Sequence, residues 1–161
     1  MLWVCRTGKL AKYYEKCIDN CEIVLPWQGY AYDLSDCQTL ADFRKTVENE
    51  KDIDNRTSIS NWSSQLFSFC KDMQIGDYVL IPNLHSKKYD LVKIVSNYFF
   101  RENDSEIHHV RKIKICCRGI PREIFPQSIQ YSLGAFRTIF KPKHESEILA
   151  LIEKWKGCES H

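Results

Sequence analysis

The chain has 161 residues, 43% of them hydrophobic, 27% charged and 12% aromatic, with a formal net charge of +2. That is enough for one domain with a single sizeable core, too short for two, and too aromatic for a disordered tail. No apolar run approaches the ~18 residues of a spanning helix, and Met1-Leu2-Trp3-Val4-Cys5-Arg6 is no secretory leader, so the expectation is one cytoplasmic domain over residues 1–161 with no membrane partner.

Leu2 to Cys5 reads as a first strand that ends in a turn at Arg6-Thr7-Gly8. Helical spacing follows from Leu10 to Ile18, with Thr7 placed to cap it. Glu22 to Pro26 is a β-branched strand closed by proline. The aromatic-rich loop Trp27-Gln28-Gly29-Tyr30-Ala31-Tyr32-Asp33-Leu34-Ser35 comes next. Ser35 or Asp36 can cap a helix to about Asn49, with Leu40, Phe43 and Val47 on one face. A polar loop from Glu48 to Arg56 leads to a second helix, capped by Ser60 or Asn61 and ending at Lys71-Asp72, with Trp62, Leu66 and Phe69 inward.

Strands dominate after that. The turn Ile75-Gly76-Asp77 feeds a strand from Tyr78 to Pro82. Alternation marks two more, Tyr89 to Asn97 and His108 to Cys116. Ile120 to Phe125 reads as a short helical turn, Phe136 to Phe140 as a last strand, and Glu145 to Trp155 as a closing helix. Four to six strands, with helices early, middle and late, predict an α+β domain: a small, curved, mixed sheet or partly closed barrel flanked by helices.

Eight cysteines stand at positions 5, 17, 21, 37, 70, 116, 117 and 158, with no C-x-x-C pair. No second ligand pair follows Cys17 and Cys21, so reduced thiols are expected and neither a metal nor a cofactor is predicted. No nucleophile elbow, zincin motif, P-loop or Rossmann glycine pattern occurs, and no Glu-x-Lys triplet of a metal-dependent nuclease. His108 and His109 point to opposite faces of a strand, so one of them packs in the core or meets a phosphate. The chain by itself reads as no enzyme.

Charge is unevenly distributed. Residues 1–75 hold nine Lys/Arg against eleven Asp/Glu, whereas residues 76–161 hold fourteen against ten. Between 108 and 143 stand Arg111, Lys112, Lys114, Arg118, Arg122, Arg137, Lys141 and Lys143 against the single acid Glu123. Such a stretch is either a solvated face or the footprint of a polyanion. Arg111, Lys112, Arg122, Arg137 and Lys141 are the candidate phosphate contacts.

A set of segments in fixed order carries a resemblance. It comprises Trp3-Val4-Cys5-Arg6-Thr7-Gly8, Trp27 with Asp33-Leu34-Ser35, and Gln65-Leu66-Phe67-Ser68-Phe69 leading into Ile75-Gly76-Asp77-Tyr78-Val79-Leu80-Ile81-Pro82. It continues through His109-Val110-Arg111-Lys112 and Ile120-Pro121-Arg122 to Tyr131-Ser132-Leu133-Gly134-Ala135-Phe136-Arg137-Thr138. This order resembles the N-terminal DNA-binding module ahead of Mrr-type nuclease domains in bacterial restriction enzymes. That module is similar in turn to the PUA superfamily with its EVE and YTH domains. The family glycine is replaced near Val92-Lys93, and Ser96-Asn97-Tyr98 stands where Gly-Asp-Tyr is usual.

The resemblance implies a PUA-like (EVE/YTH-type) fold that holds a modified base, flipped from duplex DNA, in an aromatic pocket. It also implies an effector such as a nuclease domain or subunit of a restriction or phage-defence system. Matched along the chain, Arg6, Thr7 and Gly8 fall where YTH proteins meet the base, and Trp27 falls at their first cage tryptophan. Trp27 reads otherwise as a core residue, and Trp62 as core or cage. Asp33 is either the partner of a base amine or a helix cap. Of Tyr98, Phe99 and Phe100, one walls the pocket and another packs beneath it, and Tyr30 and Tyr32 are further candidates. The competing readings are an RNA-binding module of the same fold, which would prefer single strands, and a protein-interaction domain using the basic face.

Overall fold

The computed structural model describes residues 1–26, 33–50, 56–83, 85–104, 106–135 and 137–159. Strand β1 (Leu2–Cys5) runs into a 3-10 turn (Lys9–Ala11), helix α1 (Tyr14–Asn20) and β2 (Glu22–Val24). Helices α2 (Leu40–Glu50) and α3 (Arg56–Phe67) follow, and α3 continues as a π-helical segment through Asp72. Then come β3 (Tyr78–Asn83), β4 (Lys88–Ile94), β5 (Phe99–Phe100) and β6 (His109–Pro121). A 3-10 turn (Arg122–Ile124), α4 (Gln127–Leu133), β7 (Ile139–Phe140) and α5 (Glu145–Glu159) complete the order.

The strands form one sheet in the order β2-β6-β4-β3-β1-β7, with β5 also on β6. Only β1 and β3 pair in parallel (Leu2 beside Tyr78, Val4 beside Leu80); the other pairs are antiparallel. The sheet curls into a half-barrel, so the domain is α+β with a small curved mixed sheet flanked by helices, as the sequence pattern predicts.

Burial on both faces explains why β1 and β3 read as unbroken apolar runs. One face, with Trp3, Val79, Ile81, Val92 and Ile113, packs on Tyr14 and Ile18 of α1, Phe43 and Val47 of α2 and Leu66 of α3. The other, with Leu2, Val4, Leu80, Leu91 and Ile120, packs on Ile129 and Leu133 of α4 and Ile148 and Ile152 of α5. Asp77 ties the central strands together: its carboxylate accepts from Trp3 Nε1 at 3.1 Å and from the Gln74 amide at 3.0 Å. Its neighbour Gly76, at φ +97, supplies the left-handed turn.

Several elements differ from their sequence expectation. The helix predicted over Leu10 to Ile18 breaks because Leu10 and Ala11 take φ of 55 and 56, and α1 begins at Tyr14. Helix α2 starts at Leu40, not after Ser35, because Thr39 and Asp42 form a reciprocal cap. The Asp42 amide donates to Thr39 Oγ1 at 3.2 Å, while the Asp42 carboxylate accepts from the Gln38 and Thr39 amides at 2.9 and 3.0 Å. Helix α3 begins earlier than Ser60, and α4 was not expected. The two-residue β5 raises the strand count to seven, and the expected last strand is confined to Ile139–Phe140 as β7.

Candidate nucleic-acid interface

β1 leaves the sheet at Arg6, whose amide still donates to Thr138 O at 2.8 Å beside β7. Gly8 then turns the chain at φ +95. A Cβ there would lie 3.1 Å from Tyr13 Cδ2 and 3.4 Å from Pro26 Cβ, so both conformation and space require glycine. The turn is pinned by Ala11 N to Gly8 O at 3.1 Å, Lys12 N to Lys9 O at 3.2 Å and Tyr13 N to Thr7 O at 2.8 Å. Its two left-handed residues, Leu10 and Ala11, cost about 1–2 kcal/mol each relative to right-handed backbone. Between this turn, Pro26, Pro82 of β3 and Arg137-Thr138 opens a cleft of about 510 Å³.

Two polar atoms in the cleft residues set it apart. Arg6 Nε and Thr7 Oγ1 are buried and have no hydrogen-bond partner among the described residues. Thr7 is 2% exposed. An unsatisfied buried polar group costs about 1–3 kcal/mol, so the two atoms are a local deficit within the residues that form the cleft wall. The opposite wall is held by Gln65 of α3, whose Oε1 accepts from the Thr138 and Ile139 amides, both at 3.0 Å. Arg137 also borders a second opening of about 590 Å³ against Arg56, Thr57 and Asn61 of α3.

Several basic residues gather elsewhere in a groove of about 890 Å³ beside α4, lined by Arg122, Tyr131, Lys141, Lys143 and His144 and, among the described residues, by no acidic one. Tyr131 is 88% exposed. Arg122 Nε donates to Gln130 Oε1 at 3.1 Å. Lys141 Nζ pairs with Asp72 at 3.5 Å and sits 4.7 Å from the Trp3 ring centre. Arg6 and Arg122 both act on the phenol of Tyr89: burial raises that group, and the two guanidinium charges partly oppose the rise.

Residues 3–140, from β1 through β7, match a family described as "Domain of unknown function (DUF8426)". The chain belongs to this family. No curated protein and no solved structure matches it. The DUF8426 match takes in every residue of the 510 Å³ cleft and leaves out α5. Among the described residues, no group of three or more His, Cys, Asp and Glu side chains is placed to hold a metal, and no helix is long and apolar enough to cross a membrane. All eight thiols are free, three of them buried, and burial pushes the Cys17 thiol up to about 12.

Within this DUF8426 domain the candidate residues separate. Arg6, Thr7 and Gly8 line the cleft. Trp27, Tyr30 and Tyr32 lie outside the described residues. Asp33 is exposed and closes a local turn, accepting from the Ser35 hydroxyl at 2.5 Å and its amide at 2.9 Å. Those bonds hold its carboxyl below the ordinary range. Tyr98 packs edge-on against Phe69 and stacks on His109; its hydroxyl meets His109 Nδ1 at 2.6 Å and accepts from the Leu34 amide at 3.2 Å. Burial pushes that phenol up. Phe99 packs near Tyr13, Cys17 and Val24, and Phe100 stacks on His108 with centres 5.5 Å apart. Trp62 packs on the core formed by α2 and α3. None of Asp33, Trp62, Tyr98, Phe99 and Phe100 lines the 510 Å³ cleft.

One phosphate candidate is corrected, and a second is held in an ion pair. Arg111 is 2% exposed and its guanidinium donates to the carbonyls of Phe69, Met73 and Ser96, so it braces the core and meets no phosphate. Lys112 is engaged with Glu22 at 3.2 Å and Asn20 O at 3.3 Å, beside the paired bonds from Arg101 to Glu22 at 2.9 and 2.7 Å. Arg122 and Lys141 share the α4 groove, and Arg137 borders the cleft. Sequence reasoning missed Gln65 as a positioning residue, although a glutamine beside Leu66 on the inward face of a helix is a visible anomaly. It also missed Lys143 and His144 as partners of Arg122.

Proposed function

We propose that this domain captures one base of DNA, a modified base flipped from the duplex, and so directs a restriction or phage-defence effector that resides in a separate domain or partner. The observation that carries this reading is a cleft of about 510 Å³ lined by Arg6, Thr7 and Gly8, two of which carry a buried polar atom, Arg6 Nε and Thr7 Oγ1, with no partner among the described residues. The guanidinium N–H donates only, whereas the hydroxyl both donates and accepts. Together they suit the mixed donor and acceptor edge of a nucleobase. The volume falls within the range of sites that enclose small ligands. The family resemblance assigns stacking on the base to Trp27, and its chain neighbour Pro26 stands on the rim of the cleft.

The α4 groove supplies the second half of the proposal. Arg122, Lys141 and Lys143 would hold the phosphate backbone with no base preference, while the cleft would supply discrimination. Extrusion costs a few kcal/mol, and aromatic stacking on the base returns about 1–3 kcal/mol.

The test is a fluorescence-anisotropy titration at one stated salt concentration. The probes are matched duplexes carrying unmodified cytosine and adenine, 5-methylcytosine, 5-hydroxymethylcytosine or 6-methyladenine, with a single-stranded RNA alongside. A preference of tenfold or more for one modified duplex, about 1.4 kcal/mol, is the expected result, reduced in Trp27→Ala. Equal binding to every probe, unaffected by Trp27→Ala in a folded protein, removes base capture and leaves a basic surface alone.

A further inference from the structure

Leu10 lines the cleft as an exposed apolar residue, and no core cluster of the described residues includes it. Its side chain is 68% exposed and its backbone is left-handed, at φ 55 and ψ 33. Glycine would relieve the backbone there, and a polar residue would relieve the exposure. The chain carries neither. The turn is held rigidly by the three backbone hydrogen bonds around it and by the tight packing of Gly8 on Tyr13 and Pro26. It therefore presents an apolar side chain at a fixed place beside Thr7 and Arg6, in the same cleft. Lys9 and Lys12, its neighbours in the turn, are both exposed; Lys12 lies 4.0 Å from Glu106, while Lys9 projects from the lip.

Resting on the base-capture reading, we propose that Leu10 is a wedge that enters the base stack of a DNA duplex where the captured base has left it. Flipping a base leaves a gap walled by the apolar faces of its neighbours, and branched aliphatic side chains fill such gaps in proteins that unstack DNA. A single strand has no such gap. Leu10 thus determines the ligand class: it favours double-stranded over single-stranded DNA, and Lys9 beside it meets the backbone that flanks the opening.

The experiment compares the wild-type protein with Leu10→Ala, Leu10→Met and Thr7→Val, all checked for folding by thermal melting. Each is titrated with DNA duplexes carrying 5-methylcytosine, 5-hydroxymethylcytosine or 6-methyladenine, and with the same strands single. For the duplex that the wild type prefers, Leu10→Ala loses about tenfold or more, while affinity for the single strand changes by less than roughly twofold. Leu10→Met, similar in size and apolar, keeps most of the duplex affinity. Thr7→Val weakens duplex and single strand alike, since it touches the captured base and not the gap. If Leu10→Ala leaves duplex binding unchanged, or weakens both forms equally, the wedge is refuted while base capture stands. If the wild type binds no modified duplex in preference, base capture fails and the wedge with it.

Discussion

Replacing Thr7 with valine separates what the cleft costs the free protein from what it gives a ligand. Valine keeps the β-branched shape and the extended preference that suit the end of β1, and exchanges the hydroxyl for a methyl. Thr7 Oγ1 is buried and without a partner among the described residues. Leaving such a group unsatisfied costs about 1–3 kcal/mol. Thr7→Val should therefore stabilise the free domain by about 2 kcal/mol. In a domain of this size that raises the melting temperature by roughly 4–8 °C. The same change removes a hydrogen bond to the bound base, with a net value of about 0.5–1.5 kcal/mol, or roughly twofold to tenfold in affinity. Thr7→Ser is the control: it keeps the hydroxyl and so the binding, but sacrifices about 1 kcal/mol through the lost methyl. Thermal melting and urea titration give the stability, and anisotropy gives the affinity. A Thr7→Val protein that is less stable than wild type would mean that the hydroxyl is satisfied, and the argument for the cleft would fall.

Gly8→Ala places a Cβ 3.1 Å from Tyr13 at φ +95, and should lower stability by about 2 kcal/mol in a urea titration. Gln65→Leu strands the Thr138 and Ile139 amides and should cost about 2–4 kcal/mol, with faster hydrogen exchange at those two positions than at the centre of β3. Glu22 is fully buried, and burial alone would raise its pKa; the bonds from Arg101 and Lys112 outweigh that and hold it below the ordinary value of 4.5. Its stabilising contribution is therefore present above that value and lost as pH falls through the lower folded pKa, so Glu22→Gln should be less stable near neutrality and lose less stability on acidification, as read from denaturation midpoints across the acid range. The five cations proposed to meet phosphates (Lys9, Arg122, Arg137, Lys141, Lys143) predict a slope of log affinity against log salt of about −4.5, and Lys143→Ala should make it shallower by about 0.9.

The strands were legible because apolar runs and alternation are direct consequences of two-sided burial. Leu2 to Cys5 and Tyr78 to Pro82 read correctly as strands for that reason. The turn at Leu10 and Ala11 was not legible. Leucine and alanine are strong helix formers, and the left-handed conformation there is set by Gly8 and by packing on Tyr13 and Pro26. The late start of α2 follows from a choice between two local caps, Ser35 and the Thr39–Asp42 pair, which spacing alone does not rank. Of the proposed pocket, the sequence placed Arg6, Thr7 and Gly8 together because they are consecutive. Gln65 and Thr138 join them through contacts across more than seventy positions, which no local pattern carries.

The basic run between 108 and 143 shows why charge must be read through periodicity. On β6, Arg111 shares its alternation with Ile113 and Ile115, so its parity places it inward, and it is there that it braces three carbonyls. Lys112 and Arg118 are drawn to Glu22 and Asp90, at 3.2 and 3.8 Å. Arg122 precedes α4 and Lys141 and Lys143 follow β7; all three line the α4 groove, Lys141 while paired with Asp72 at 3.5 Å. Six of the eight thus divide into three bound within the fold and three that line the groove, while Arg137 borders the cleft. With phosphates against the α4 groove and a base in the cleft, as proposed, backbone attraction and base discrimination would fall to separate residues. Such a split would join a nonspecific attraction to a single point of discrimination, the division of labour that the proposed base capture calls for.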